Sequence, residues 1–311
     1  MTDRRSGYPM GAALTLGQLE LDPHPALAAL RQHEPVSWVP VLDGWLVTRR
    51  DLCISVMRDA ARFTVDDPRF STAQVVGSSM LSLDGDEHHR HRDPFAQAFL
   101  APEARSRFSG WVDAMARRRV EAMRPSGHAE IRRDLAGPLA VDVVTTALQL
   151  LDSDATEVLG WYDEIVAAVD RISAGGEAGA AASLAMTALD RHVRTTIDQG
   201  DGVLAAATGT LADREVVSNA AVMMFGGIET SEGMTTTLFW HLLSAPDQLA
   251  AVRADRTLLA GAIEESLRLE PAAARVDRYA TVDVELGSAS IARGDLVIVS
   301  LTAANRDPDT F

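Results

Sequence analysis

Residues 212–244 read ADREVVSNAAVMMFGGIETSEGMTTTLFWHLLS. Asp213 and Glu215 place negative charge in the first turn of a helix, where the backbone dipole favours it. Pro246 follows as a stop signal. Apolar residues occupy almost every side, so the helix is expected to run through a core rather than over it. Its centre, Gly226-Gly227-Ile228-Glu229-Thr230, works against that placement. Two glycines inside a helix cost roughly 1 kcal/mol each relative to alanine, and a buried carboxylate is expensive unless it is partnered. Glycine, however, lets another body approach the backbone closely. Thr230 stands four residues after Gly226, so its hydroxyl can bond the Gly226 carbonyl and open a local groove flanked by an acid and an alcohol. The competing reading is a core helix with a glycine pair needed for packing.

Working outward, the 311 residues are 47% hydrophobic, enough for a substantial core in one large domain or two ordinary ones. No apolar run reaches the ~18 residues of a membrane span. The N-terminus has no apolar stretch of the signal-peptide kind, and a single cysteine, Cys53, suits a reducing cytoplasm, so a cytoplasmic protein without a membrane is expected. A net charge of −15 argues against nucleic acid as a general partner. The charge is uneven: residues 90–133 hold ten arginines against five acids, which is +5 and leaves −20 for the remainder. Such a face is either ordinary solvated helix surface or a surface that steers an acidic partner.

Residues 1–24 read as a flexible start and 25–32 as a short helix. Residues 36–48 alternate around Asp43-Gly44, a hairpin signal, and 50–57 are helical with Cys53 as a small core residue. Residues 63–83 read as a long functional loop. A helix over 87–99 is capped by Asp84 or Asp86 and kinked or restarted at Pro94. Helices are predicted over 108–123, 137–151, 156–172 and 177–199, with Ser173-Ala174-Gly175-Gly176 as a hinge between the last two. Helices over 246–254 and 258–269 follow the central one. Residues 278–286, 290–291 and 296–300 form a small antiparallel region. No repeats and no clean domain boundary are visible, so 1–311 reads as a single domain.

Glu265 and Arg268 are spaced to pair on one helix face, and Ile263, Leu267 and Leu269 around them suggest partial burial. This E-x-x-R helix, after the G-G-x-E-T helix, resembles the cytochrome P450 family, in which the same two motifs occur in the same order. DGDEHHRHR, residues 84–92, resembles the family's D-P-P-E-H-x-R-x-R stretch, and DRYATVDVEL, 277–286, its strand carrying an arginine. IARGDLVIVSLTAANRDP, 291–308, resembles the approach to its heme loop, and RRDLCISVMRDAARFT, 49–64, an early helix. Histidines 88, 89 and 91 could alternatively bind a metal ion, but no further cysteine or histidine stands at a structural-zinc spacing. P-loop, dinucleotide-binding and G-x-S-x-G patterns are absent.

The resemblance implies a mostly α fold with a small β region, lacking its C-terminal heme-loop part. It implies a heme-thiolate monooxygenase that hydroxylates or epoxidises a small hydrophobic metabolite with dioxygen and electrons from a ferredoxin-type partner. Thr230 and Glu229 would be catalytic and deliver protons; Gly226 and Gly227 would make room beside the heme. His88, Arg92 and Arg278 would hold its propionates, and Glu265 and Arg268 would be structural. Substrate would meet residues 63–83 and the Gly175-Gly176 hinge. The family's cysteine ligand lies in an F-x-x-G-x-x-x-C-x-G loop that would fall beyond Phe311, so no iron ligand is expected within these residues. That departure gives an alternative: a heme-less helper of the same fold that binds and activates a partner enzyme such as a glycosyltransferase.

Overall fold

A computed structural model describes residues 4–150, 155–200 and 202–311. Three short helices, α1 (Arg4–Gly7), α2 (Pro9–Ala12) and α3 (Leu16–Leu21), precede α4 (His24–His33). Strands β1 (Val36–Val39) and β2 (Gly44–Val47), helix α5 (Arg50–Arg58) and strand β3 (Phe63–Thr64) follow. The helical part comprises α6 (Ser71–Val76), α7 (Gly85–Ala96), α8 (Ala101–Met123), α9 (Gly137–Leu148), α10 (Ala155–Ser173), α11 (Ala180–Asp198), α12 (Gly202–Ala207) and α13 (Asp213–Ser244). Then come α14 (Pro246–Ala254), α15 (Leu259–Leu269), β4 (Arg275–Ala280), β5 (Val284–Leu286), β6 (Ala289–Ile291), β7 (Leu296–Ser300) and α16 (Leu301–Ala304).

The chain divides into two compact units. One consists of the residues up to Asp67 together with His241–Phe311. Its five-stranded sheet has the order β1-β2-β7-β4-β3. β2 and β7 run parallel, with Trp45 opposite Val297, while the other pairs are antiparallel. Within the region predicted as antiparallel, β4 and β7 do pair antiparallel but belong to one mixed sheet with the N-terminal hairpin and β3, while β5 and β6 form a separate two-stranded antiparallel sheet. Parallel neighbours need a long connection, and here it is most of the chain, which is why local sequence does not show the pairing. The hairpin turn is also longer than Asp43-Gly44. Pro40–Leu42 forms a 3-10 turn, Asp43 takes the left-handed conformation (φ 47°), and Gly44 already pairs with Val39. Leu296 and Ile298 side-chain atoms lie 3.1–3.2 Å from where a Gly44 Cβ would stand. Trp45, Val47, Phe63, Val297 and Val299 line one core of this unit; Leu27, Leu30, Leu46 and Ile298 line another. The expected flexible start is helical in places, and Glu34 accepts the Met10 and Gly11 amides at 2.9 and 3.1 Å.

The second unit, Pro68–Trp240, is helical. Val141, Val144, Leu148, Ile165, Leu189, Leu204, Val216, Ala220, Met224 and Ile228 are among its buried core. The first half of α13 is buried on nearly every side, from Val216 to Val222, as its composition demands. The stretch 63–83 is not wholly a loop, because β3 and α6 lie in it. α7 continues through Pro94 and ends two residues later, with a 3-10 turn completing the span. α8 begins at Ala101, earlier than its apolar stripe suggests, with Pro102 in its first turn; none of its residues is buried. The predicted end of the 137–151 helix at Leu151 lies outside the described residues. α10 and α11 match expectation except that residues 177–179 stay outside the helix, where Gly179 has φ 83°.

Candidate functional site

The centre of α13 divides its two glycines. A Cβ on Gly226 would meet no atom within 4 Å, whereas one on Gly227 would stand 2.6 Å from Val144 Cγ2. Gly227 thus lets α9 approach, and Gly226 leaves its side of the helix open. Thr230 Oγ1 donates to the Gly226 carbonyl at 2.5 Å, the bond expected from the spacing, and the helix continues unbroken around it. With its hydrogen directed at the backbone, the hydroxyl presents lone pairs to the open side. Glu229 is exposed, yet desolvation holds its carboxyl above the ordinary glutamate range. Asp170 and Glu232 add to that, and Arg132 opposes it. Glu232 is itself paired with Arg132. Glu229 therefore keeps its proton to higher pH than a solvated glutamate, as an acid that must donate requires.

α7 carries His88 and Arg92 four residues apart. Arg92 is exposed and has no hydrogen bond or ion pair among the described residues. His88 Nδ1 lies 2.9 Å from the Met80 carbonyl. A carbonyl only accepts, so Nδ1 carries the hydrogen and Nε2 remains without a partner among the described residues. Between them, His91 turns the other way and is 1% exposed. It is not part of a metal site: its Nδ1 is 2.9 Å from Asn219 Nδ2. Among the described residues no group of three or more His, Cys, Asp or Glu side chains is placed to hold a metal ion. Desolvation and the Arg90 charge lower the pKa of His91, so the ring is neutral near pH 7. Arg90 reaches across to Glu215 in the first turn of α13, at 2.8 and 3.1 Å, and also pairs with Glu87. That contact pulls the Glu215 carboxyl down to about 2. The motif reading passed over Arg90, Asn219 and Met80, took Glu215 only as charge at the start of the helix, and took His91 only as an alternative metal ligand. The charges of Arg90 and Glu215 were visible, but nothing local pairs residues that far apart in sequence.

The remaining predicted residues belong to the other unit. Arg278 on β4 is half-buried and its only side-chain hydrogen bond among the described residues is from Nη1 to the Asp277 carbonyl, at 2.7 Å. Glu265 and Arg268 form a two-pronged pair at 2.6 and 2.8 Å. Arg268 also donates to the Asn305 carbonyl at 2.6 Å and lies over the Phe311 ring. Arg306 donates to the Leu269 carbonyl and to Glu270. The E-x-x-R helix is thereby fastened to the N-R-D-P turn. Burial is one-sided: the Arg268 side chain is 23% exposed and that of Glu265 55%. Ile263 and Leu267 are themselves exposed, since neighbours one and two positions away on a helix do not share a face. Cys53 is buried on α5, its Sγ donating to the Val47 carbonyl, and burial pushes its thiol up to about 12. It is a packing residue and no iron ligand.

The donor set fits a heme. Within the second unit, an open helix face at Gly226, an Arg92 guanidinium and a His88 imidazole nitrogen, the last two without a partner among the described residues, are the kinds of group a flat macrocycle with two carboxylates needs from a protein. A cytochrome P450 family profile matches residues 199–311. The chain is 32% identical to cytochrome P450 monooxygenase PikC of Streptomyces venezuelae, over 95% of this chain and 74% of that one. It is 30% identical to nocardicin C N-oxygenase of Nocardia uniformis subsp. tsuyamanensis, over 100% and 80%. The crystal structure of P450BioI superposes with a TM-score of 0.85 at 21% identity, covering 96% of this chain and 81% of that one, a likeness of fold. Motifs in order, helices in order and relatives aligned over nearly all of this chain agree, and this chain belongs to the cytochrome P450 family.

Proposed function

We propose that this chain is the substrate- and heme-holding part of a monooxygenase that hydroxylates or epoxidises a small hydrophobic metabolite, with electrons from a ferredoxin-type donor. The family is enzymatic, and its members named above are bacterial monooxygenases and oxygenases. The observation that carries the reading is the centre of α13, where Gly226 faces open space beside a hydroxyl and a carboxyl whose pKa desolvation raises. A helix kept only for packing has no use for the three together.

Heme supplies the activation of dioxygen when bound. His88, Arg92 and Arg278 would hold its propionates by charge-assisted hydrogen bonds. Thr230 orients a water through its free lone pairs, and Glu229 passes protons toward that water from the solvent side. Glu265 and Arg268 are structural. The apolar substrate would meet residues 63–83 and the Gly175-Gly176 hinge, after which the Ala178 carbonyl accepts from Arg171 Nη2 at 2.6 Å. The exposed arginines of α8 suit an acidic electron donor: among the described residues Arg105 and Arg118 have no ion pair, Arg118 donating to Met115 Sδ, and Arg107 lies over Phe108.

The test is a hemin titration followed by reduction under carbon monoxide. Saturable binding with a Soret shift supports the reading, and a thiolate-type shift requires a cysteine supplied from outside residues 1–311. No saturable binding refutes it. The second reading, a heme-less helper of a partner enzyme, is favoured by one observation: the chain's single thiol is buried and bonded inward. Sequencing the coding frame past the Phe311 codon separates them, because an in-frame F-x-x-G-x-x-x-C-x-G supports the enzyme and an immediate stop supports the helper.

A further inference from the structure

We infer that Asn219 is a positioning residue for the cofactor, setting through the backbone of Met80 which nitrogen His88 turns toward a carboxylate. The inference rests on the reading of His88 as a propionate holder. Asn219 is fully buried on α13, two turns before Gly226. Its amide can sit only one way. Met80 N–H comes to Oδ1 at 2.8 Å, and the Glu215 carbonyl lies 2.8 Å from Nδ2. A donor on one side and an acceptor on the other fix oxygen and nitrogen without ambiguity. The second Nδ2 hydrogen then points at His91 Nδ1, 2.9 Å away, which must be a lone pair. The His91 hydrogen is therefore on Nε2, facing Glu215 Oε1 at 3.5 Å. Arg90 Nη2, 3.1 Å from that nitrogen, donates to Glu215 rather than to the ring.

The same amide thus grips three elements: α13 itself, α7 through His91, and the loop before α7 through Met80. The loop is seated tightly there. Gly77 has φ 85°, and a Cβ on it would come 2.9 Å from Ser218 Oγ; Ser79 N–H bonds Ser82 Oγ at 3.0 Å. With its N–H held by Asn219, the Met80 residue turns its carbonyl to His88 Nδ1. That carbonyl assigns the hydrogen to Nδ1 and leaves Nε2 for the ligand. None of the H-x-x-x-R motif residues supplies this control; it comes from a side chain on another helix, as outer-shell partners of ligating histidines do.

The experiment uses the 311-residue chain, with imidazole nitrogens labelled and read by long-range proton–nitrogen correlation, and signals assigned by single His→Gln substitutions. The heme-free wild type should show His88 as the Nδ1–H tautomer and His91 as Nε2–H. In Asn219→Asp, one oxygen keeps the Met80 amide while the other faces His91 Nδ1. His91 should then acquire a hydrogen there while His88 is unchanged. In Asn219→Leu the Met80 grip is lost, and His88 should become a mixture of tautomers. Hemin affinity should then fall on the order of five- to ten-fold, the loss of about one net hydrogen bond. Asn219→Leu added to His88→Ala should give no further loss. The inference is overturned if His91 keeps a bare Nδ1 in Asn219→Asp, a variant close enough in shape to fold. It is equally overturned if Asn219→Leu leaves the His88 tautomer or the hemin affinity intact, or if its loss adds to that of His88→Ala. Failure of wild type to bind hemin at all refutes the heme reading instead, and the tautomer spectra still decide what Asn219 does.

Discussion

Gly226 and Gly227 are adjacent, identical in sequence and opposite in function. Alanine at 226 meets open space and removes a helix-interior glycine, so Gly226→Ala should raise the heme-free unfolding free energy by up to about 1 kcal/mol. Alanine at 227 drives a methyl into Val144, a β-branched side chain with little rotamer freedom. Overpacking of that kind costs about 1–3 kcal/mol, so Gly227→Ala should be a net destabilisation despite the propensity gain. Urea unfolding of both variants checks the opposite signs; equal effects would mean the pair is one packing feature. Glu229 gives a second residue-scale expectation. Its folded pKa is raised, so the native state binds the proton more tightly and loses stability as pH rises through the window above the ordinary glutamate value. Glu229→Gln should therefore raise the melting temperature at pH 7, and the advantage should vanish near pH 4. Thr230→Ala, in heme-loaded protein, should lower the fraction of consumed electrons that appears as product; an unchanged fraction would remove Thr230 from proton delivery.

At the scale of elements, α7 is joined to α13 by Arg90–Glu215 and His91–Asn219. The Glu215 carboxyl is depressed to about 2, chiefly by the hydrogen bond from Arg90. A depressed carboxylate adds stability that is present above its unfolded value and lost as pH falls from about 4.5 toward 2. Glu215→Gln should lose on the order of 1 kcal/mol at pH 7 and little near pH 2, which thermal melts across that range would show. A pH-independent effect would mean that the pair contributes shape rather than charge. The E-x-x-R pair was legible because both partners stand on one helix. Its attachment to Asn305 and Arg306 was not, because a helix and a turn 36 or 37 residues apart have no shared period.

For the whole molecule, charge is distributed in a way that outlasts any single contact. The region 90–133 is positive on a chain of net −15, and α8 displays its arginines with no residue buried. The proposed association with a ferredoxin-type donor, if that donor is acidic, should be steered by that face. Raising ionic strength from about 0.05 to 0.5 M should slow it roughly ten-fold or more, and replacing Arg105, Arg107 and Arg118 together by Gln should flatten the salt dependence. Stopped-flow reduction measures both, and a rate indifferent to salt would return α8 to the status of ordinary solvated surface.

What the sequence determined by itself was local: the central helix and its stop at Pro246, the Thr230–Gly226 bond, the Glu265–Arg268 pair, the mostly α character and the order of motifs. Each rests on spacings of three or four residues along one helix, or on composition, and such spacings survive in any packing. Tertiary structure alone decided which glycine packs and which stays open. It also decided that β2 lies parallel to β7, that His91 turns inward, and that Asn219 holds Met80. Those outcomes depend on residues tens to hundreds of positions apart meeting in space, and a chain's local periodicity carries no information about which distant surface it will face.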